Sequence, residues 1–150
     1  MADHHDLSGR VALITGGARR VGRHLAERLA AEGAAVVIHH RSSAEAAAEL
    51  AAAIRAEGGR AAVVEGDLTS AAVAEGLMGR AAASFGPVDV LVNNASLFAP
   101  GEALTTSLEE WERYQAIHGT APFLLSREFA RLLPEGRQGV IVNMNDWRSG

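Results

Sequence analysis

Val11-Ala-Leu-Ile-Thr-Gly-Gly-Ala-Arg-Arg-Val-Gly22 runs from a short apolar stretch into a glycine-rich turn and then into a helical pattern. Residues 11–15 are too few for a buried helix and include the β-branched side chains that favour a strand. From about residue 21 to 32 the apolar positions fall at helical spacing, with Leu25 and Leu29 four apart. Gly33 provides a stop, because glycine adopts the left-handed conformation that ends a helix without steric cost.

The same alternation continues outward. Residues 35–38 form a second apolar strand, and Ser43 is placed to cap a helix over 44–57 that ends at Gly58-Gly59. A third strand is expected over 61–65, a third helix over 69–85, and a fourth strand over 88–92, introduced by Gly86-Pro87. Ser107 and Glu110 have the spacing of a capping box. They open a long helix reaching Leu133, with Pro122 as a kink. Residues 139–143 make the fifth strand. Strands alternating with helices imply an α/β protein with a doubly wound parallel sheet, the Rossmann fold. The near-continuous apolar character of the strands agrees, since parallel strands are covered on both faces. Residues 1–150 read as one such domain.

Composition narrows the function classes. The chain is 48% apolar and 21% charged, with a formal net charge of −4. It has no cysteine, which excludes disulfides, thiolate nucleophiles and cysteine-held zinc. All 14 basic residues are arginine. An acidic balance without a basic patch argues against nucleic-acid binding. No apolar run approaches the ~20 residues of a membrane span, and the polar start lacks a secretory pattern. A cytoplasmic location is expected.

In doubly wound sheets ligands lie beyond the carboxyl ends of strands, where the strand order reverses. A glycine-rich turn that follows a strand and opens a helix suits a dinucleotide, because its backbone N–H groups and the helix dipole meet the pyrophosphate. An ordinary strand–helix turn is the alternative. Thr15-Gly16-x-x-x-Arg20-x-Gly22 resembles the fingerprint of the short-chain dehydrogenase/reductase superfamily, with Arg20 in place of the middle glycine. That replacement resembles the pteridine reductase branch. The resemblance implies that Gly16, Arg19, Arg20, Val21 and Gly22 contact the cofactor.

NAD-specific folds place an acid after the second strand to hold the ribose 2′-hydroxyl. Here the strand is followed by His39-His40-Arg41-Ser42-Ser43, with no acid before Glu45. An acid would repel a 2′-phosphate, whereas an arginine fork pairs with it and hydroxyls add hydrogen bonds. His40, Arg41 and Ser42 therefore point to NADP(H), although a solvated loop would show the same residues.

After the third strand, Asp67 and Leu68 resemble the pair that the family sets against adenine; Asp67 or Thr69 could equally cap the next helix. After the fourth strand, Asn93-Asn94-Ala95-Ser96 resembles the family's Asn-Asn-Ala-Gly, which implies cofactor contacts for Asn94, Ala95 and Ser96. Ser96 and Phe98 resemble the pterin-stacking loop of the branch, though Phe98 could instead pack onto the core. Asp146 stands where most of the superfamily has a serine and the pteridine reductase branch an aspartate. Its carboxyl would hydrogen-bond substrate and help relay a proton, the alternative being a cap for the following turn.

The family's acid, a tyrosine with a lysine four residues on, has no counterpart among these residues. The sole tyrosine, Tyr114, reads as a packing or surface residue. His118 aligns with the family's supporting asparagine, judged from Ala121-Pro122. The resemblance spans residues 7–147 and corresponds to the first part of a family member. Closing strands and helices are then missing, which would expose one sheet edge and the apolar faces of strands four and five and promote self-association. The expected activity is NADPH-dependent hydride transfer to a C=N or C=O group of a small molecule, pterin-like or another carbonyl compound, by a protein that is a homo-oligomer when complete. The alternative is a dinucleotide-binding module without catalysis.

Overall fold

The computed structural model describes residues 6–98 and 101–145. Its elements run β1 (Val11–Ile14), α1 (Arg20–Ala31), β2 (Ala35–His40), α2 (Ala44–Ala56), β3 (Arg60–Glu65), α3 (Ala71–Phe85), β4 (Val90–Asn93), α4 (Leu108–Gln115), a π-helical segment (Ala116–Thr120), α5 (Ala121–Leu132) and β5 (Val140–Asn143). The strands form one parallel sheet in the order β3-β2-β1-β4-β5. The order reverses at β1, so the switch point lies between β1 and β4, directly beyond the glycine turn.

Because side chains alternate along a strand, the sheet feeds two cores. Leu13, Val37 and Leu91 pack with Leu77 and Met78 of α3 and with Leu124, Leu125 and Phe129 of α5. On the other face Ile14, Ile38 and Val92 pack with Ala26 of α1 and with Leu50 and Ile54 of α2, and Leu25 and Leu29 lie against them, as their spacing predicts. Gly33, at φ 95, and Gly58, at φ 86, follow the ends of α1 and α2 as expected.

Several details depart from the sequence reading. β2 extends two residues further, through His39 and His40, both of which are buried. Ser43 precedes α2 but makes no side-chain capping bond. Neither Asp67 nor Thr69 caps α3; Ser70 does, accepting from the Val73 amide. The capping box of Ser107 and Glu110 is formed. Pro122 does not kink a regular helix but sits in the first turn of α5, just after the π-helical segment. That segment shifts the register by one residue, so the Ala121 amide donates to the Ala116 carbonyl. Proline lacks an N–H, and the wider turn avoids leaving a regular-helix bond unmade.

Strand four is not exposed. Leu91 and Val92 are buried, since α5 covers one face and β5 the edge. Of these two strands only β5 is exposed, with Val140 at 55% and Ile141 and Val142 each at 39%. Among the described residues no helix is long and apolar enough to cross a membrane.

Candidate functional site

The carboxyl ends of β1 and β4 are joined by one interlocking set of hydrogen bonds. The buried Thr15 hydroxyl accepts from the amides of Asn94 and Ala95, each at 2.9 Å, and donates to the Val92 carbonyl at 3.3 Å. The Asn94 side-chain amide donates to the carbonyls of Thr15 at 3.0 Å and Gly16 at 3.2 Å. Asn94 thus braces the glycine turn from behind. Asn93 donates to the Asn143 side chain at 2.8 Å, which ties β4 to β5.

Glycine is required where these elements meet. Gly16 has φ 61. A Cβ at Gly22 would stand 2.3 Å from the Gly16 carbonyl oxygen and 2.7 Å from the Asn94 side-chain nitrogen. The first turn of α1 can therefore approach the loop closely only without a side chain there, the geometry a pyrophosphate cradle needs. Arg19, Arg20 and Val21 project from the same turn and are exposed.

Arg20 adopts φ 50, the only non-glycine residue with positive φ among those described. For a residue with a Cβ this conformation costs about 1 kcal/mol. Arg20→Gly is therefore expected to raise stability by about 1 kcal/mol while weakening binding of a phosphate-bearing ligand. Urea unfolding and ligand titration of the same variant measure both. A variant that lost stability, or bound ligand as tightly as the parent, would show that the strained arginine is not held for a ligand.

A cleft of about 160 Å³ opens beside the loop, lined by Gly16, His39, Arg41, Gly66, Leu68, Ala95, Ser96, Leu97 and Ile117. Of the residues singled out from sequence, Gly16, Arg41, Leu68, Ala95 and Ser96 line it. His40 does not: it is buried, its Nδ1 has no hydrogen-bond partner, and its neighbour His39 lines the cleft instead. Arg41 and Ser42 are exposed at the end of β2. Asp67 is exposed, and its carboxylate accepts from the Thr69 amide and hydroxyl at 2.9 and 2.7 Å. Those two bonds, the backbone one foremost, hold its pKa below the ordinary carboxylate range.

Sequence reasoning missed His39. The Gly16 amide donates to its Nδ1 at 3.1 Å, and its Nε2 lies 2.9 Å from the Gly66 carbonyl. Burial, foremost, lowers its pKa to about 4, so the ring is neutral at physiological pH. The visible signal is a pair of histidines continuing an apolar strand, where a polar ring needs partners.

A second cavity, about 610 Å³, lies between β4, β5, the π-helical segment and α5, lined in part by Asn93, His118, Phe123 and Asn143. His118 projects from the π-helical segment, with Nε2 3.1 Å from the Leu97 carbonyl, and so ties that segment to the loop carrying Ser96 and Phe98. Its ring stacks on Tyr114 at 5.8 Å, which makes Tyr114 a half-buried packing residue as expected. Phe98 is 78% exposed and does not pack onto the core. Asp146 lies outside the described residues. A groove of about 740 Å³ lies at the opposite end of the sheet between the ends of α1 and α2, away from the glycine loop.

Residues 10–146 match the family described as short chain dehydrogenase. A short-chain type dehydrogenase/reductase of Picea abies is 37% identical over 147 residues, covering 93% of this chain and 54% of that protein. The crystal structure of FolM, alternative dihydrofolate reductase 1, from Brucella canis, complexed with NADP, superposes with a TM-score of 0.90 at 36% identity, over 95% of this chain and 57% of that one. A short chain dehydrogenase from Burkholderia cenocepacia in complex with NADP gives 0.89 at 36% identity, over 95% and 58%. The chain thus spans little more than half the length of these relatives.

Proposed function

The chain belongs to the short-chain dehydrogenase family, and from that premise we propose that residues 1–150 form the dinucleotide-binding part of an NADP(H)-dependent oxidoreductase acting on a pterin-like C=N or other carbonyl compound. One observation carries the cofactor choice. The end of β2 presents exposed Arg41 and Ser42 beside the cleft, and no acid stands between β2 and Glu45. A guanidinium fork there matches a 2′-phosphate, whereas an NAD site needs a carboxylate for the free hydroxyl. NADP complexes of relatives at 36% identity support the choice.

The residues fit the group. Gly22 leaves the loop open to close backbone approach, and the first amides of α1 face the pyrophosphate position. Arg19 and Arg20 are free to reach phosphate oxygens from the same turn, Arg41 and Ser42 take the 2′-phosphate, and Leu68 with Asp67 bounds the adenine. Ala95 and Ser96 lie on the nicotinamide side. When bound, the nicotinamide supplies the hydride. Substrate sits against Ser96 and the exposed Phe98 ring, and Asp146 holds a proton at the reduced nitrogen or oxygen. The aromatic ring in the open and the dihydrofolate reductase relative favour a planar pterin over an aliphatic carbonyl.

Loss of NADPH absorbance when a dihydropterin is added to a protein carrying residues 1–150 together with the family's tyrosine and lysine tests the substrate class. Turnover supports it. No turnover with any pterin, in protein that binds NADPH, overturns the substrate class and leaves the cofactor reading standing.

A further inference from the structure

Among the residues that build the cleft, His39 is the only side chain hydrogen-bonded to both of the loops that flank it. Its Nδ1 accepts from the Gly16 amide at 3.1 Å, and its Nε2 meets the Gly66 carbonyl at 2.9 Å. The two backbone partners fix the tautomer. An amide can only donate, so Nδ1 carries the lone pair; a carbonyl can only accept, so Nε2 carries the hydrogen. The strand backbone repeats the connection, since the Gly17 amide donates to the His39 carbonyl at 2.9 Å and the Gly66 amide to the His40 carbonyl at 3.0 Å. The histidine thus spans the glycine loop, where the pyrophosphate is read, and the β3–α3 loop, where the adenine is bounded.

We propose that His39 is a positioning residue for dinucleotide binding, a neutral imidazole clamp that sets the separation of the glycine loop and the Gly66 loop before the ligand arrives. The proposal rests on the dinucleotide reading and adds to it the element that holds the cleft open at one width. A pre-set cleft spares the ligand the cost of ordering two loops. The clamp also has one failure mode. A proton on Nδ1 would face the Gly16 N–H with a second N–H, so the imidazolium cannot make the first bond. The charged and titratable groups around the ring are His40 beside it on β2, Arg80 from α3 and Asp67 from the β3–α3 loop. Both His40, if protonated, and Arg80 disfavour the imidazolium, whereas Asp67 favours it; burial outweighs all three and keeps the ring neutral until the pH nears 4.

Two variants of the full chain separate clamping from bulk. His39→Phe keeps the ring and loses both bonds; His39→Gln keeps an acceptor and a donor but cannot be protonated. Binding is followed by titration with NADP⁺, which survives acid, and the Gly16 amide by hydrogen exchange in the ligand-free protein. His39→Phe is expected to bind NADP⁺ about tenfold more weakly at neutral pH, a loss of about 1.4 kcal/mol, and to exchange its Gly16 amide faster. His39→Gln is expected to restore most of the affinity and to flatten the parent's loss of binding as the pH falls from about 5 through 4, over the range in which both proteins stay folded. A folded His39→Phe protein with parental affinity and parental Gly16 protection overturns the proposal. So does His39→Gln behaving like His39→Phe. If the parent chain itself binds no NADP⁺, the dinucleotide reading falls first, and the clamp with it.

Discussion

Gly22→Ala is expected to destabilise the chain by about 3 kcal/mol and to abolish measurable dinucleotide binding, since Gly22 has the closest would-be Cβ contact of the glycines described. The added Cβ would sit 2.3 Å from the Gly16 carbonyl oxygen, 2.7 Å from the Asn94 side-chain nitrogen and 2.9 Å from the Gly17 Cα. Two of the three obstacles are backbone, which cannot swing aside as the tip of a flexible side chain can. The Asn94 amide cannot yield cheaply either, because it holds the Thr15 and Gly16 carbonyls. Relief must come from moving α1 away from the loop, which opens the cradle and loses the contact of Ala26 with the core of the sheet. Urea unfolding and NADPH titration measure the two consequences. A variant of parental stability would mean that the loop and helix are not in close contact in solution.

Asp89→Asn is expected to cost about 2 to 3 kcal/mol, less than the full penalty of breaking a buried pair because the two arginines are partly solvated. The Asp89 side chain is 1% exposed, against 38% for Arg10 and 35% for Arg137. Its carboxylate accepts from the Val11 amide at 2.8 Å, from Arg10 at 3.2 Å and from Nε and Nη2 of Arg137. It therefore joins the start of β1, the start of β4 and the turn that leads into β5. Asparagine keeps the shape but presents an N–H₂ to a set of donors. Burial alone would raise the Asp89 pKa, but the hydrogen bonds from Arg137, Val11 and Arg10 outweigh it and hold the carboxyl below its usual range. A depressed folded-state pKa contributes stability above the ordinary carboxylate pKa, and that stability is lost as the pH falls below about 4 through the folded value. The parent should therefore lose stability between about pH 4 and lower values, and Asp89→Asn should lose less over the same interval. Parallel pH–stability curves would contradict this role.

The first two strands were legible because parallel strands buried on both faces must be apolar almost throughout, and 11–14 and 35–38 both are. The site loops were legible for a related reason: a glycine turn or an Asn pair directly after such a strand has little packing purpose of its own. What escaped the reading depends on contacts remote in sequence. β2 was ended at Ile38 because histidines look like loop residues, yet His39 and His40 continue the ladder against Val64 and Glu65. Their burial cannot be read without knowing that Gly16 and Gly66 lie within reach. The π-helical turn that aims His118 at Leu97 leaves no mark on helical periodicity, since the pattern resumes one residue later. The capping of α3 by Ser70 rather than Asp67 or Thr69 was one choice among neighbouring polar residues that local chemistry does not rank.

The cleft at the β1–β4 switch point is expected to take a dinucleotide bearing a 2′-phosphate. Calorimetric titration of the chain with NADPH and NADH side by side tests it most directly. NADPH should bind at least about tenfold more tightly, the worth of a single charge-assisted phosphate contact, and Arg41→Asp should remove the difference. Equal affinity for the two cofactors, or an unchanged preference in Arg41→Asp, would contradict it.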